Sequence, residues 1–239
     1  MKPTRASALT SAMVALTLVT GMVEAVSFLA LGPAFTAVQT GNTLFLAFAL
    51  GGADFMGLSV AAPLASLLGF TVGALLGARF ESHEDVLGHR WLLTALYLEA
   101  VLLGIAGLVA QWGVERAGQP LTGRHYTAVA LVALAMGLRN VTTIRAGVPD
   151  VSTTVVTRTL TALIGGSPLG HDTRIPSGAR HEGRRAASIG AMFGGGLMGG
   201  WMLHEGVRPS VVLLVTAACV LAVAFAFSFA SRGPAATSG

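Results

Sequence analysis

Residues 6–31 read ASALTSAMVALTLVTGMVEAVSFLAL, twenty-six positions with one charge, Glu24. A bilayer core about 30 Å thick needs roughly 20 apolar residues per helical crossing, so this stretch is long enough to span. Lys2 and Arg5 precede it with the charge pattern of a secretory signal. No small-residue cleavage site follows, and the apolar run continues past Glu24, so the segment reads as a retained first helix. Further apolar segments fall at 35–50, 55–78, 91–112, 125–144, 151–164, 186–203 and 211–230. The 239 residues are 53% hydrophobic and 11% charged, and the mean hydropathy is +0.72. That composition belongs in lipid. The expectation is a single all-α integral membrane domain over 1–239, a bundle of about eight membrane helices, two of which (35–50 and 151–164) are short or re-entrant.

The net charge of +4 and the pI near 10.2 could suggest a nucleic-acid partner, but the basic residues are spread over loops, and none is expected. Lys2 is the only lysine and the other 14 basic residues are arginine, which with the Ala and Gly excess points to a GC-rich bacterial genome. The lone Cys219 excludes a disulfide framework and a thiolate metal site.

The chain repeats itself. Gly21-Met22-Val23-Glu24-Ala25-Val26-Ser27 aligns with Gly137-Leu138-Arg139-Asn140-Val141-Thr142-Thr143, and Gly32-Pro33 with Val148-Pro149 at the same offset. After a one-residue slip Thr40-Gly41-Asn42 falls on Thr157-Arg158-Thr159. Two halves, 8–112 and 125–230, each read as a long helix, a proline turn, a short Thr-bearing helix, a glycine-rich helix and a final long helix. Gly69, Gly73 and Gly77 in the third segment, and Gly190, Gly194, Gly195, Gly196, Gly199 and Gly200 in the seventh, would let helix backbones approach closely. The longest polar connection, 165–185, carries Arg174, Arg180, Arg184 and Arg185 with His171, Asp172, His181 and Glu182, and is expected as an Arg-rich cytoplasmic loop.

Positive charge gathers on the cytoplasmic side of membrane proteins. With eight spans and the N-terminus inside, nine basic residues lie inside and four (Arg79, Arg90, Arg145, Arg208) outside. With six spans the split is ten to three, the outer ones being Arg116, Arg124 and Arg208. Both arrangements place the termini in the cytoplasm of a bacterial inner membrane. Four spans per half would give parallel repeats, and three an inverted pair.

Thr17, Thr20, Gly21, Glu24 and Ser27 follow helical spacing along one stripe of the first helix. A carboxylate at membrane depth is costly unless paired or protonated, and Glu24 and Glu99 face two candidate partners, Arg139 and Arg158. Two readings stay open: a structural ion-pair network joining the halves, or an acid that exchanges protons or meets a cationic substrate. In the short segments, Thr40, Asn42 and Thr157 would either hold the bundle together or, with Glu24 and Asn140, line a substrate site between the halves. No metalloprotease or hydrolase motif is present, and the glycine clusters lie within apolar runs. No enzyme activity, metal or cofactor is expected. His83 and His89 with Glu81, Glu84 and Asp85 read as a solvated loop.

Two sets of residues stand out, Glu24-Ala25, Ser27-Phe28-Leu29, Gly32, Phe35 and Thr40-Gly41-Asn42 in the first half, and Ala135-Met136-Gly137, Asn140, Thr153-Thr154, Val156-Thr157 and Leu160 in the second. Over these positions, and nearly the whole chain, the sequence resembles the YoaK family, bacterial multi-pass membrane proteins catalogued as a domain of unknown function. The family pattern has Asp where Glu24 stands, Gln where Arg139 stands and Gly where Arg158 stands. The resemblance implies an inner-membrane bundle and supplies no substrate. The function expected from the architecture is a small-molecule transporter or permease, its partners the bilayer and a small-molecule substrate. The alternative is a non-transporting scaffold or sensor acting through the 165–185 loop on anionic lipid or a partner.

Overall fold

The computed structural model describes residues 5–52, 59–83, 90–116, 118–150, 156–167 and 174–231. His89, Ser152-Thr153-Thr154, His171 and Asp172 lie outside the described residues. The elements are α1 (Arg5–Val26), continued by one π-helical turn (Ser27–Leu31), α2 (Gln39–Leu50), α3 (Ala61–His83), α4 (Arg90–Gln111), α5 (Gly123–Ala146), α6 (Val156–Gly165), α7 (Ala179–His204) and α8 (Pro209–Ser231). Six of the eight are long and apolar enough to cross a bilayer. The other two, α2 with 12 residues and α6 with 10, reach only about 18 and 15 Å at 1.5 Å per residue, roughly half a hydrocarbon core. The chain is an all-α, multi-pass membrane protein.

Local chemistry sets the boundaries. At the start of α5 the side chains of Thr122 and His125 cap each other's backbone N–H groups, and Gly147 ends that helix at φ +58°. α1 ends at Gly32, whose φ of +142° turns the chain into a non-helical linker, residues 32–38. The 165–185 segment is less of a loop than its polarity suggested. α7 begins at Ala179, so Arg180, His181, Glu182, Arg184 and Arg185 occupy its first two turns. Glu182 there complements the positive end of the helix dipole.

Helices pack as α1 on α7, α3 on α5 and α4 on α8; α4 also meets α5, α8 meets α1, and the short α2 and α6 lie on α3 and α7. Large apolar side chains such as Leu68, Val101, Phe193, Leu197 and Phe225 point outward, where lipid would meet them. In lipid the drive for helix contact is close packing rather than water exclusion. A methyl group at Gly73 would overlap Leu134 O, and one at Gly137 would overlap Phe70 O and lie 2.8 Å from Ala74 N. In the α1–α7 crossing, Gly195 stands against Leu18 O, and Gly21 against Met192 O and Gly196 N. Gly77 meets Leu138 and Val141 as Gly199 meets Met22 and Ala25.

Helix direction is fixed by named contacts. Gln111 at the end of α4 accepts a hydrogen bond from Ser210 at the start of α8 (2.7 Å), and Gly107 faces Leu214, so α4 and α8 run antiparallel. By contrast, the ascending pairs Leu18 with Gly195 and Met22 with Gly199 make α1 and α7 parallel.

Gly73→Ala and Gly195→Ala should each destabilise the protein by about 1–3 kcal/mol or more through overpacking. Gly104→Ala and Gly194→Ala, where nothing lies within 4 Å of the added carbon, should be neutral or mildly stabilising, since alanine is the better helix former. Thermal unfolding in detergent checks the contrast, which equal melting temperatures for all four variants would refute.

Candidate functional site

Three polar assemblies sit inside the bundle. The central one is the buried Arg139 of α5, an ion pair with Glu99 of α4. Its second guanidinium nitrogen donates to Leu16 O (2.8 Å) and Thr20 Oγ1 (2.7 Å) of α1. One side chain thus fastens three helices, and removing either charge strands the other in a dry interior. Glu24 and Arg158 do not join this pair, so the neutral set of two acids and two arginines does not form as a unit.

The second assembly explains Glu24. The linker after α1 leaves backbone N–H groups without helical partners at membrane depth, where each needs an internal acceptor. Glu24, buried on the last turn of α1, accepts from the N–H groups of Thr36 (3.1 Å) and Ala37 and from the Thr36 hydroxyl (3.4 Å). Among the described residues no arginine pairs with it. Ser27 Oγ donates to Ala34 O (2.7 Å). Asn42 of α2, fully buried, closes the other end. Its Oδ1 accepts from Phe35 N (2.9 Å), and its Nδ2 donates to Phe35 O (2.5 Å), Gln39 Oε1 (2.7 Å) and Ser66 Oγ of α3 (3.0 Å). Phe28, Phe35 and Phe45 stack over the network at centroid distances of 4.9–6.1 Å, and a methyl group at Gly41 would come within 2.8 Å of the Phe35 ring. This end is sealed. Thr40 is exposed on α2 and takes no part.

The third assembly is open. A cavity of about 870 Å³ lies where α5 ends, bounded by α6, residues 174–176 and the start of α7. Its polar lining includes Asn140, Asp150, Arg158, Thr159, Arg174 and Arg185. Asp150 stands at φ +66° and meets His181 Nδ1 and Arg185 Nε (2.8 Å) of α7. Arg185 also donates to Ala162 O of α6 (2.9 Å), tying α6, α7 and the turn after α5 together. Burial acts to raise the Asp150 pKa, but the hydrogen bonds and charges of His181 and Arg185 outweigh it and hold the carboxyl below its usual range. Sequence reading passed over Asp150, and only its Pro149-Asp150 turn hinted at it. Of the expected substrate residues, the structure puts Glu24 and Asn42 in the sealed network and Asn140 in the cavity with Arg158. Thr157 is exposed and does not line the cavity. Groups of three or more potential metal ligands are absent among the described residues.

Glu99→Gln should cost roughly 3–5 kcal/mol, as expected when one member of a buried pair is removed, and Arg139→Gln a similar amount. The double variant should be less damaging than the sum of the two, because no charge is left stranded. Unfolding titrations of the three proteins give the coupling energy, and simple additivity would refute a pair that matters to stability.

The comparisons with known proteins agree with this architecture. The family model described as Protein of unknown function (DUF1275) matches residues 12–226, from α1 to α8. The UPF0700 transmembrane protein YoaK of Bacillus subtilis (strain 168) is 29% identical over 150 residues, covering 62% of this chain and 63% of that protein, which is less than two thirds of the relative's length. No solved structure matches. With most of its length accounted for by one family model, the chain belongs to DUF1275, a family of transmembrane proteins described by their sequence and not by an activity.

Proposed function

We propose that the protein is a small-molecule carrier of the bacterial inner membrane, made of two inverted repeats that alternately open a central site to either side. It is read as a carrier and not an enzyme. The observation that carries the proposal is that the two halves repeat one packing scheme in opposite orientation across the bundle. The sequence offset of 116 between α1 and α5, with 122 between α3 and α7, turns each glycine crossing into the other. Leu18 with Gly195 becomes Leu134 with Gly73, and Gly21 with Met192 and Gly196 becomes Gly137 with Phe70 and Ala74. The matched packing of α1 on α7 with α5 on α3, and of α2 on α3 with α6 on α7, supports the same relation. Antiparallel α4 and α8 are what three crossings per half require, and inverted repeats with broken helices beside the substrate are a recurring carrier design.

On this reading α2 with its linker and α6 with its turn are equivalent gates. The first is closed by the Phe28-Phe35-Phe45 stack and the Asn42-Ser66 hydrogen bond. At the second, α6 packs on α7 beside the 870 Å³ cavity, and the equivalents of Asn42 and Ser66 there are the buried Thr159 and Ser188. The six-span charge count supports a cytoplasmic N-terminus, C-terminus and cavity mouth. Transport would exchange a site open at the cavity for one open at the first gate.

Two measurements test this. In a Cys219→Ala background, Gln119→Cys should react with a membrane-impermeant maleimide added to intact cells and Ser177→Cys should not. The reverse pattern removes the orientation. The pair Asn42→Cys and Ser66→Cys should form a disulfide that holds the first gate shut. In proteoliposomes, exchange flux across a panel of carboxylates, phosphates, amino acids and sugars should be abolished on oxidation and restored by a thiol. Flux that survives a verified disulfide overturns alternating access.

A further inference from the structure

We infer that the open cavity is an anion site that takes a small organic acid, a carboxylate or phosphate on an apolar body, with Arg158 as its charge partner. This rests on the carrier reading above and deepens it. Among the described residues, three arginines and one aspartate line the cavity, and that aspartate is committed to Arg185 and His181. Arg158 differs from its neighbours in having no hydrogen bond or ion pair to any described residue, although it stands on the cavity wall beside Asn140 and Thr159. Its side chain is exposed on that wall, and a guanidinium is a planar fork of donors that carboxylate and phosphate oxygens fit in pairs.

The repeat relation sharpens the case. Arg158 occupies the place in α6 that Gly41 occupies in α2, and at Gly41 the Phe35 ring packs against the backbone. Arg158 therefore places a guanidinium where the first half has only backbone under a ring. Ile144, Val148, Ala162 and Ile175 supply the apolar remainder of the wall, and a volume of this size suits a small-molecule ligand. A cationic or uncharged substrate would gain no charge-assisted bond from Arg158.

The source of the anion is either a soluble acid or the headgroup of an anionic lipid reaching in from the bilayer, and the test separates them. Purified protein in nanodiscs of phosphatidylcholine alone is titrated with benzoate, phenyl phosphate, benzamide and benzylamine, with binding read by calorimetry and by thermal shift. The two anions should bind and stabilise, and the amide and the amine should not. Arg158→Gln should weaken anion binding by roughly tenfold or more, the size of a lost charge-assisted hydrogen bond. Arg158→Lys should restore part of it, and Arg180→Gln, on α7 outside the lining, should change nothing. Equal binding of benzoate and benzamide, or anion binding indifferent to Arg158→Gln, overturns the anion site. No binding by any soluble probe, with Arg158-dependent stabilisation only in discs containing phosphatidylglycerol, assigns the anion to lipid, which leaves the site standing and removes the carrier reading. Arg158-independent flux of a neutral solute in proteoliposomes would do the reverse.

Discussion

The structure depends on one constraint: backbone that leaves a helix at membrane depth must find its hydrogen-bond partners inside the protein. Residues 32–38 meet that constraint with three side chains from three elements. Glu24 from α1 accepts from Thr36 and Ala37, Ser27 donates to Ala34, and Asn42 from α2 binds both backbone groups of Phe35. A neutral acceptor would satisfy one N–H; a carboxylate satisfies several at once and fixes the linker's path. The cost of an acid in lipid is thus offset by the peptide dipoles it organises. The break they support is what allows α2 to be short, and a short α2 is what makes three crossings per half.

Close helix contact supplies the second layer. Where lipid removes the hydrophobic drive, interfaces form by bringing backbones together, and the crossings of α1 with α7 and α3 with α5 do this with glycines set against carbonyl oxygens. Arg139 then adds a specific link, joining α5 to Glu99 on α4 and to the Leu16 carbonyl on α1. That link has no counterpart at the equivalent position of α1, which is Val23. The two halves share a packing scheme and differ in their polar fittings.

The membrane class, the eight helices and the two short ones were legible because apolar run length is a direct readout of bilayer thickness. Helix ends were less so. Arg180 to Arg185 looked like loop because they are polar, yet their backbone is helical, and two of the arginines find partners elsewhere, Arg185 in Asp150 and Ala162 O and Arg184 in Thr10. The pairing of Glu99 with Arg139 could be listed as a candidate from sequence, but nothing linear distinguished Arg139 from Arg158. One lies on the inner stripe of a full-length helix, and the other lies on the exposed side of a ten-residue helix. Glu24 was recognisable as expensive, whereas its partners were invisible, because backbone N–H groups are not residue types.

The contrast between Gly41 and Arg158 bears on how a symmetric scaffold could do asymmetric work. If both gates were lined alike, each would close equally well empty or full, and substrate would gain nothing from driving the exchange. At Gly41 the Phe35 ring packs against the backbone, so in the proposed carrier that end would shut without cargo. Arg158 is exposed; if closure covered it, a ligand that neutralises it would stabilise the closed state relative to the open one by the difference in its binding to the two. A single side chain at equivalent sites would then decide which gate answers to the substrate. The direction of that dependence follows from desolvation and charge, whatever the acid proves to be.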